Sequence, residues 1–257
     1  MRLNLIGADP EVFLMDKAGN FVSSIGKFGG SKLNPLPIPG MREGFAIQED
    51  NVTVEFNIPP SRKAKQFSNF IKAALDFISE KADKMDLTVA VVASALFPKK
   101  ELDDPRAQAF GCEADLNIWT GTENPRPKAK NKRLRSCGGH IHMSYRGDQI
   151  LLGKLADLFI GCPSIMFDPD TGRRELYGKA GACRQKEYGL EYRVPSNFWV
   201  RSEDLTEMVF EQAQRAIAFA DSGKTIRDED IPKIQQCINN SDQNLLRELT
   251  ATYKIPY

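Results

Sequence analysis

Apolar and polar positions along this chain change period several times, and each change predicts an element. The apolar run Glu11–Met15, the Gly-containing stretch Asp16–Asn20 and Phe21-Val22-Ser23 predict a β-hairpin. Residues 26–40 are rich in Gly and Pro and read as loop. Residues 52–57 alternate and are rich in β-branched side chains, which predicts a strand. Phe67, Phe70, Ile71, Ala74, Leu75 and Ile78 fall on one face at helical spacing, in a helix that opens at Ser61. The nearly continuous apolar run Leu87–Phe97 predicts a buried strand. A strand around residues 139–144 follows a long polar connection, and amphipathic helices span Asp148–Cys162 and Glu203–Asp221. Two short helices, packed on the outside, are expected from Asp228 onward. The pattern is α+β and without repeats. No linker composition divides it, so a single domain over 1–257 with a helical tail at 228–257 is expected.

Composition narrows the classes. A chain of 257 residues can bury a substantial core. A net charge of +1 gives no global attraction to nucleic acid or membrane. The five cysteines are scattered and contain no Cys-x-x-Cys, which fits free thiols in a reducing cytoplasm. Asp9 and Glu11 interrupt any signal-peptide core, and no apolar run reaches the roughly 20 residues of a membrane span. A cytoplasmic protein is expected. No P-loop or Gly-x-Gly-x-x-Gly occurs, and no local signature pairs a Ser or Cys nucleophile with a His.

The chemistry gathers on strands. His140 and His142 are the only histidines, two residues apart, so a strand aims both imidazoles into one space. Asp9 and Glu11 share the same spacing at a strand mouth. Glu55 and Glu191 lie inside short apolar β-like runs. A buried carboxylate needs a cation, and oxygen ligands joined by an imidazole suit Mg²⁺ or Mn²⁺ better than structural zinc. Arg193 shares the face of Glu191, and guanidinium is a bidentate clamp for phosphate or carboxylate. Arg184 ends a Gly-rich stretch, whereas Arg173 and Arg174 read as solvated surface. The basic run 126–135 reads as a solvated loop, with a lid over a polyphosphate as the alternative.

Gly7-Ala-Asp-Pro-Glu-Val-Phe-Leu-Met-Asp16, Gly138-Gly-His-Ile-His142 and Leu190-Glu-Tyr-Arg-Val-Pro-Ser196 together resemble the core of the glutamine synthetase-like carboxylate–amine ligases. With residues 49–57 added, the chain most resembles the phage-encoded COOH–NH2 ligases, amidoligases of type 2. The resemblance implies a curved, mainly antiparallel sheet with helices on its outer side. It implies ATP and Mg²⁺ (or Mn²⁺), and an amide or peptide-like bond made through an acyl phosphate in the host cytoplasm. Asp9, Glu11, Glu55, His140 and Glu191 correspond to metal ligands, with Asp50 or Asn51 as a further neighbour. His142 corresponds to a residue at the nucleotide phosphates, and Arg184 and Arg193 to arginines around the transferred phosphate. Arg184, Arg193 and Glu55 are thus the expected catalytic set. Asp50 and Glu55 lie closer together than the matching acids of the large synthetases, and their shared-site ring is not implied. The substrates would be a carboxylate and an amine, with a homo-oligomer or a partner glutaminase both compatible. The loops at 26–40 and 122–136 are expected to exclude water. A phosphotransferase like the related guanidino kinases, or a catalytically silent binding protein, are the alternative readings.

Overall fold

A computed structural model describes residues 4–108, 115–125 and 130–257, with backbone alone at residue 175. Its strands are β1 (Ile6–Asp16), β2 (Phe21–Val22), β3 (Leu36–Pro37), β4 (Ala46–Asp50), β5 (Thr53–Ser61), β6 (Leu87–Ala90), β7 (Ser94–Leu96), β8 (Leu116–Asn117), β9 (Thr122–Glu123), β10 (Leu134–Ser136), β11 (Gly139–Ser144), β12 (Ala182–Lys186) and β13 (Gly189–Tyr192). Its helices are α1 (Ala64–Asp83), α2 (Pro105–Gln108), α3 (Gln149–Ala156), α4 (Cys162–Ser164), α5 (Gly172–Leu176), α6 (Glu203–Asp221), α7 (Ile231–Asn240) and α8 (Gln243–Tyr253).

Antiparallel pairing joins the sheet in the order β3-β4-β5-β1-β11-β13-β12-β8-β9, with β2 and β6 also on β1, while β10 pairs β7 separately. The mixed α/β architecture around a large antiparallel sheet is the one expected.

Because strand side chains alternate, residue parity divides the sheet into two faces. Ile6, Ala8, Val12 and Leu14 of β1 join Val54, Phe56, Ile58, Ile141, Met143, Leu190 and Tyr192 in the main core. The helices cover this face: α1 packs on β1, β5 and β6, α3 on β13, and α6 on both helices. Phe67 of α1 stacks on Trp199 at 5.8 Å between centroids and meets Phe210 of α6. The opposite parity carries the charged residues. No helix among the described residues is long and apolar enough to cross a membrane.

Two expectations change. Ser61 closes β5 rather than opening a helix: it pairs with Ile6, its Oγ accepts the Lys63 N–H at 3.1 Å, and helical backbone begins at Ala64. Leu87–Phe97 is not one buried strand. Its first half pairs with β1 and its second with β10, so the chain leaves the sheet between them, and Val92 is 39% exposed at the crossing. The helix over Asp148–Cys162 holds, with Asp148 accepting the Ile150 and Leu151 N–H groups at its start. It widens into a π-turn over Asp157–Gly161 and runs on through Ser164. The tail forms α7 and α8 as read, docked on that helix through Ile234, Ile238, Leu246 and Leu249.

Candidate active site

Strand register assembles the site. Arg184, Glu191, His142 and Gly7 line up across β12, β13, β11 and β1. His140 stands opposite Asp9, and Glu11 opposite Glu55, which in turn faces Gln48. Two donor groups result, Asp9–His140–Glu191 and Glu11–Asp50–Glu55, each with ligand atoms within 4.8 Å of one another. All six residues expected to hold metal are in these two groups. Asp50, at the end of β4, is the neighbour brought to the acids. Asn51 instead turns the chain in the left-handed region (φ 55) and donates to the Ala107 carbonyl at 3.1 Å.

The glycines of the His-x-His motif have separate reasons. A Cβ on Gly138 would sit 2.4 Å from His140 Nε2, so the missing side chain gives that imidazole its place. A Cβ on Gly139 would lie 2.2 Å from the Ser196 carbonyl and 2.4 Å from Trp199 Nε1. Gly138→Ala is therefore expected to displace His140 and weaken metal binding about 10- to 100-fold in a folded protein. Gly139→Ala, against immovable backbone, is expected to cost about 1–3 kcal/mol of stability. Manganese titration and thermal melts of the two variants check this; equal behaviour would refute the assignment.

Charge inside the site is strongly perturbed. Burial pushes the Asp9 carboxyl up, but the charges of His142 and His140 beside it outweigh this and hold it well below the usual range. Burial and the Asp50 charge push Glu11 up to about 7, against the Gly138 N–H that its Oε2 accepts at 2.7 Å. Burial, then Asp9, Glu11 and Asp50, raise Glu55 well above an ordinary carboxylate. Burial also opposes ionisation of Glu191, yet Arg193 and His140 bring it down to about 2. Burial and Arg193 lower His140, whereas His142 is raised because Asp9 outweighs its burial.

Cations surround Glu191: Arg193 Nη1 on Oε1, Arg184 Nη1 3.3 Å from the same oxygen, and Lys186 Nζ 3.0 Å from Oε2. Arg193 also stands 3.1 Å from His140 Nδ1, with its Nε 2.6 Å from Asp115. Asp115, Lys186 and Tyr188, whose hydroxyl meets His142 Nδ1, were not read from the sequence.

The donors suit a hard divalent ion. Asp9 Oδ1 is buried without an aligned hydrogen bond, 3.4 Å from His140 Nδ1 in its donor group. Neighbouring ligands on an octahedral magnesium stand about 3 Å apart, given bonds of about 2.0–2.1 Å. The buried acids Glu11 and Glu55 and the half-buried Asp50 likewise call for a cation between them.

Two arginines depart from expectation. Arg173 is 3% exposed, not solvated: its Nε donates to the Cys137 carbonyl at 2.8 Å and its Nη2 to that of Arg193 at 3.3 Å. Arg135, at the end of the basic run, is also buried, with its guanidinium on the carbonyls of Ala107, Lys132 and Leu134. Lys130–Arg133 remain exposed as read, and residues 126–129 lie outside the described residues. Arg174 is half-buried and reaches Ser241.

Three recesses meet along this face. The first, about 540 Å³, lies between Glu11, Asp50, Arg135, Arg173 and Tyr177. Asp50, His140 and Arg193 also line the second, about 610 Å³, which holds Asp9, Glu55, Glu191 and Lys186. Asp9, Asn57 and His142 connect that one to a third of about 940 Å³, walled by Gly7, Ile58, Pro60 and Tyr188. Lys32 and Pro35 of the 26–40 loop border the central recess. Glu49 ties that loop down, accepting the N–H groups of Gly26, Phe28 and Gly29 at 2.7–2.9 Å.

Residues 130–254 match the family model described as Phage phiEco32-like COOH.NH2 ligase-type 2. Over those residues the chain is similar to the family its motifs resemble. The match contains His140, His142, Arg184, Glu191 and Arg193, while the four acids of β1, β4 and β5 precede it. No curated protein matches the chain. Among solved structures, GmaS without ligand is 13% identical, with a TM-score of 0.43 over 98% of this chain and 69% of that one. An ADP complex of GmaS gives 11% and 0.43, over 98% and 70%. A glutamine synthetase of Plasmodium falciparum gives 11% and 0.38, over 82% and 52%.

Proposed function

We propose that the protein is an ATP-dependent carboxylate–amine ligase that works through an acyl phosphate. The observation that carries this reading is the shared wall between the recesses: two groups of metal-type donors separate an arginine-lined recess from a largely apolar cleft. A nucleotide would lie with its base in the cleft beside Tyr188 and its phosphates in the central recess. The acid substrate would approach from the side of Arg173.

Asp9, His140 and Glu191, and Glu11, Asp50 and Glu55, would hold two Mg²⁺ or Mn²⁺ ions. Such ions neutralise phosphate charge and align the γ-phosphoryl group for in-line transfer. Lys186, Arg184 and His142 face the same space and would bind phosphate oxygens. Arg193, with its Nε 2.6 Å from Asp115, would set its positive charge against the transferred phosphoryl group. The carboxylate attacks phosphorus and ADP leaves. The amine then attacks the acyl carbon, and phosphate leaves. The 26–40 loop, beside the central recess, would keep water from the acyl phosphate.

The test is ADP release by the wild type and by Glu55→Gln, with Mg²⁺ and ATP, across pooled acids and amines. Acid-dependent release, with an amide found by mass spectrometry, is expected. The variant should lose on the order of 10³-fold in rate, a few kcal/mol of transition-state stabilisation. A phosphorylated product without an amide would make the protein a phosphotransferase. A protein that does not bind ATP would sink the ligase reading.

A further inference from the structure

We infer that Lys32, at the tip of the 26–40 loop, is a ligand of the nucleotide's distal phosphates, gripping them from the sheet flank opposite Lys186 and Arg184. The inference rests on the ligase reading and adds a binding residue to a loop that this reading uses only to exclude water.

The loop is built to hold its tip in place. Phe28 and Ile38, each 2% exposed, anchor its two sides in the main core. Gly30 (φ +76) presses on β4, where a Cβ would lie 2.7 Å from the Ile47 carbonyl. Between these anchors the Ser31 N–H donates to the Asn34 carbonyl at 3.1 Å, and the Asn34 N–H to that of Ser31 at 2.9 Å. Lys32 and Leu33 are the central residues of that closed turn, and both are exposed. A turn so closed leaves the reaching to the side chain, and the long flexible stem of lysine supplies it.

Lys32 differs from the other cations of the central recess. Arg193, Arg184 and Lys186 all contact Glu191. Lys32 makes no hydrogen bond or ion pair among the described residues, although Asp9, Asp50 and Glu55 line the same recess. Those acids belong to the two donor groups, so bound metal ions rather than the lysine would meet their charge. Sheet order puts the loop before β3 at one flank and β12, with Arg184 and Lys186, toward the other. The metal-type donors of β4, β5, β1, β11 and β13 lie between them. A polyphosphate laid over the ions presents oxygens to both flanks, and a compact ammonium charge suits those on the side of the loop. Lys32 borders the central recess and not the apolar cleft, so it meets the phosphates distal to the nucleoside.

Acylation footprinting and calorimetry test this at low ionic strength, where an exposed cation is least screened. Wild-type protein with Mg²⁺ is treated with an N-hydroxysuccinimide ester, and modification of Lys32 is read by mass spectrometry. A non-hydrolysable ATP analogue and inorganic tripolyphosphate are expected to protect Lys32, and AMP to leave it reactive. Lys32→Ala should weaken the analogue about tenfold, the worth of one charge-assisted hydrogen bond, with AMP affinity and melting temperature unchanged. Lys32→Arg should keep most of the affinity, and Leu33→Ser, on the same turn, all of it. If Lys32 reacts equally with and without bound analogue, or Lys32→Ala binds it as the wild type does, the inference is overturned and the ligase reading stands. An equal loss in Leu33→Ser also overturns it, since the effect would then belong to the shape of the loop. Protection by tripolyphosphate in a protein that does not bind the nucleotide would uphold Lys32 and sink the ligase reading. Absence of binding by both sinks the two together.

Discussion

Magnesium is expected to bind far more weakly at pH 6 than at pH 8, with protons released as it binds. Glu11 is pushed up to about 7 by burial and the Asp50 charge, and Glu55 is raised well above the carboxylate range by burial and its three acidic neighbours. A metal takes the ionised form, so each bound proton must leave first. Below its own value, each such acid weakens apparent affinity about tenfold per pH unit; Glu11 alone gives on the order of tenfold between pH 8 and 6, and Glu55 steepens the dependence further. Asp9 and Glu191, held low by the histidines and Arg193, stay ionised and add nothing to this slope. Stability follows the same linkage with the opposite sense. Without metal, a raised carboxyl favours the fold while protonated, and that contribution is lost as pH rises through about 7. Metal should therefore raise the melting temperature more at pH 8 than at pH 6. Glu11→Gln removes one donor and one proton, and should lower both affinity and slope. Calorimetry in buffers of different ionisation enthalpy measures the protons released. Affinity independent of pH, with no proton exchange, would show that these acids do not form the ion site.

The donor set was legible because strand geometry makes it so. Asp9 with Glu11 and His140 with His142 keep the two-residue spacing, and pairing Asp9 to His140 and Glu11 to Glu55 completes both groups. Glu191 and Arg193 were legible for the same reason. Choosing between Asp50 and Asn51 required the turn itself, since only its backbone decides which side chain points inward. Arg173 and Arg135 were misread because nothing local marks them. Each is buried by carbonyls distant in sequence, Cys137 for one and Ala107 for the other. Gly178 is a local trace: at φ +77, its missing Cβ would lie 2.2 Å from Arg173 Nη1. The Leu87–Phe97 run failed differently, because apolar content cannot say where a chain changes strand partners. Asp115, Lys186 and Tyr188 sit on short strands or turns with no periodicity to expose them.

Removal of the Asp157 carboxyl is expected to be the most damaging change outside the site. Asp157 is fully buried in the π-turn, where Trp119 Nε1 donates to it at 2.6 Å and Tyr192 Oη at 2.8 Å. Burial pushes its carboxyl from 3.8 up to about 7, against those two hydrogen bonds. An acid raised in the fold contributes stability that is complete below its unfolded value and lost as pH climbs through the folded one. About three pH units correspond to about 4 kcal/mol, given up between roughly pH 4 and 7. Asn mimics the protonated acid, because its amide oxygen can accept from Trp119 while its N–H meets Tyr192 Oη. Asp157→Asn should thus flatten the pH dependence and match or exceed wild-type stability at pH 8. Asp157→Ala leaves two donors without acceptors, one of them on the fully buried Tyr192, and should cost about 3–5 kcal/mol at any pH. Urea unfolding of the three proteins from pH 5 to 8 decides the matter. A wild-type profile as flat as that of the Asn variant would mean that Asp157 is ionised in the fold, and that its hydrogen bonds outweigh its burial.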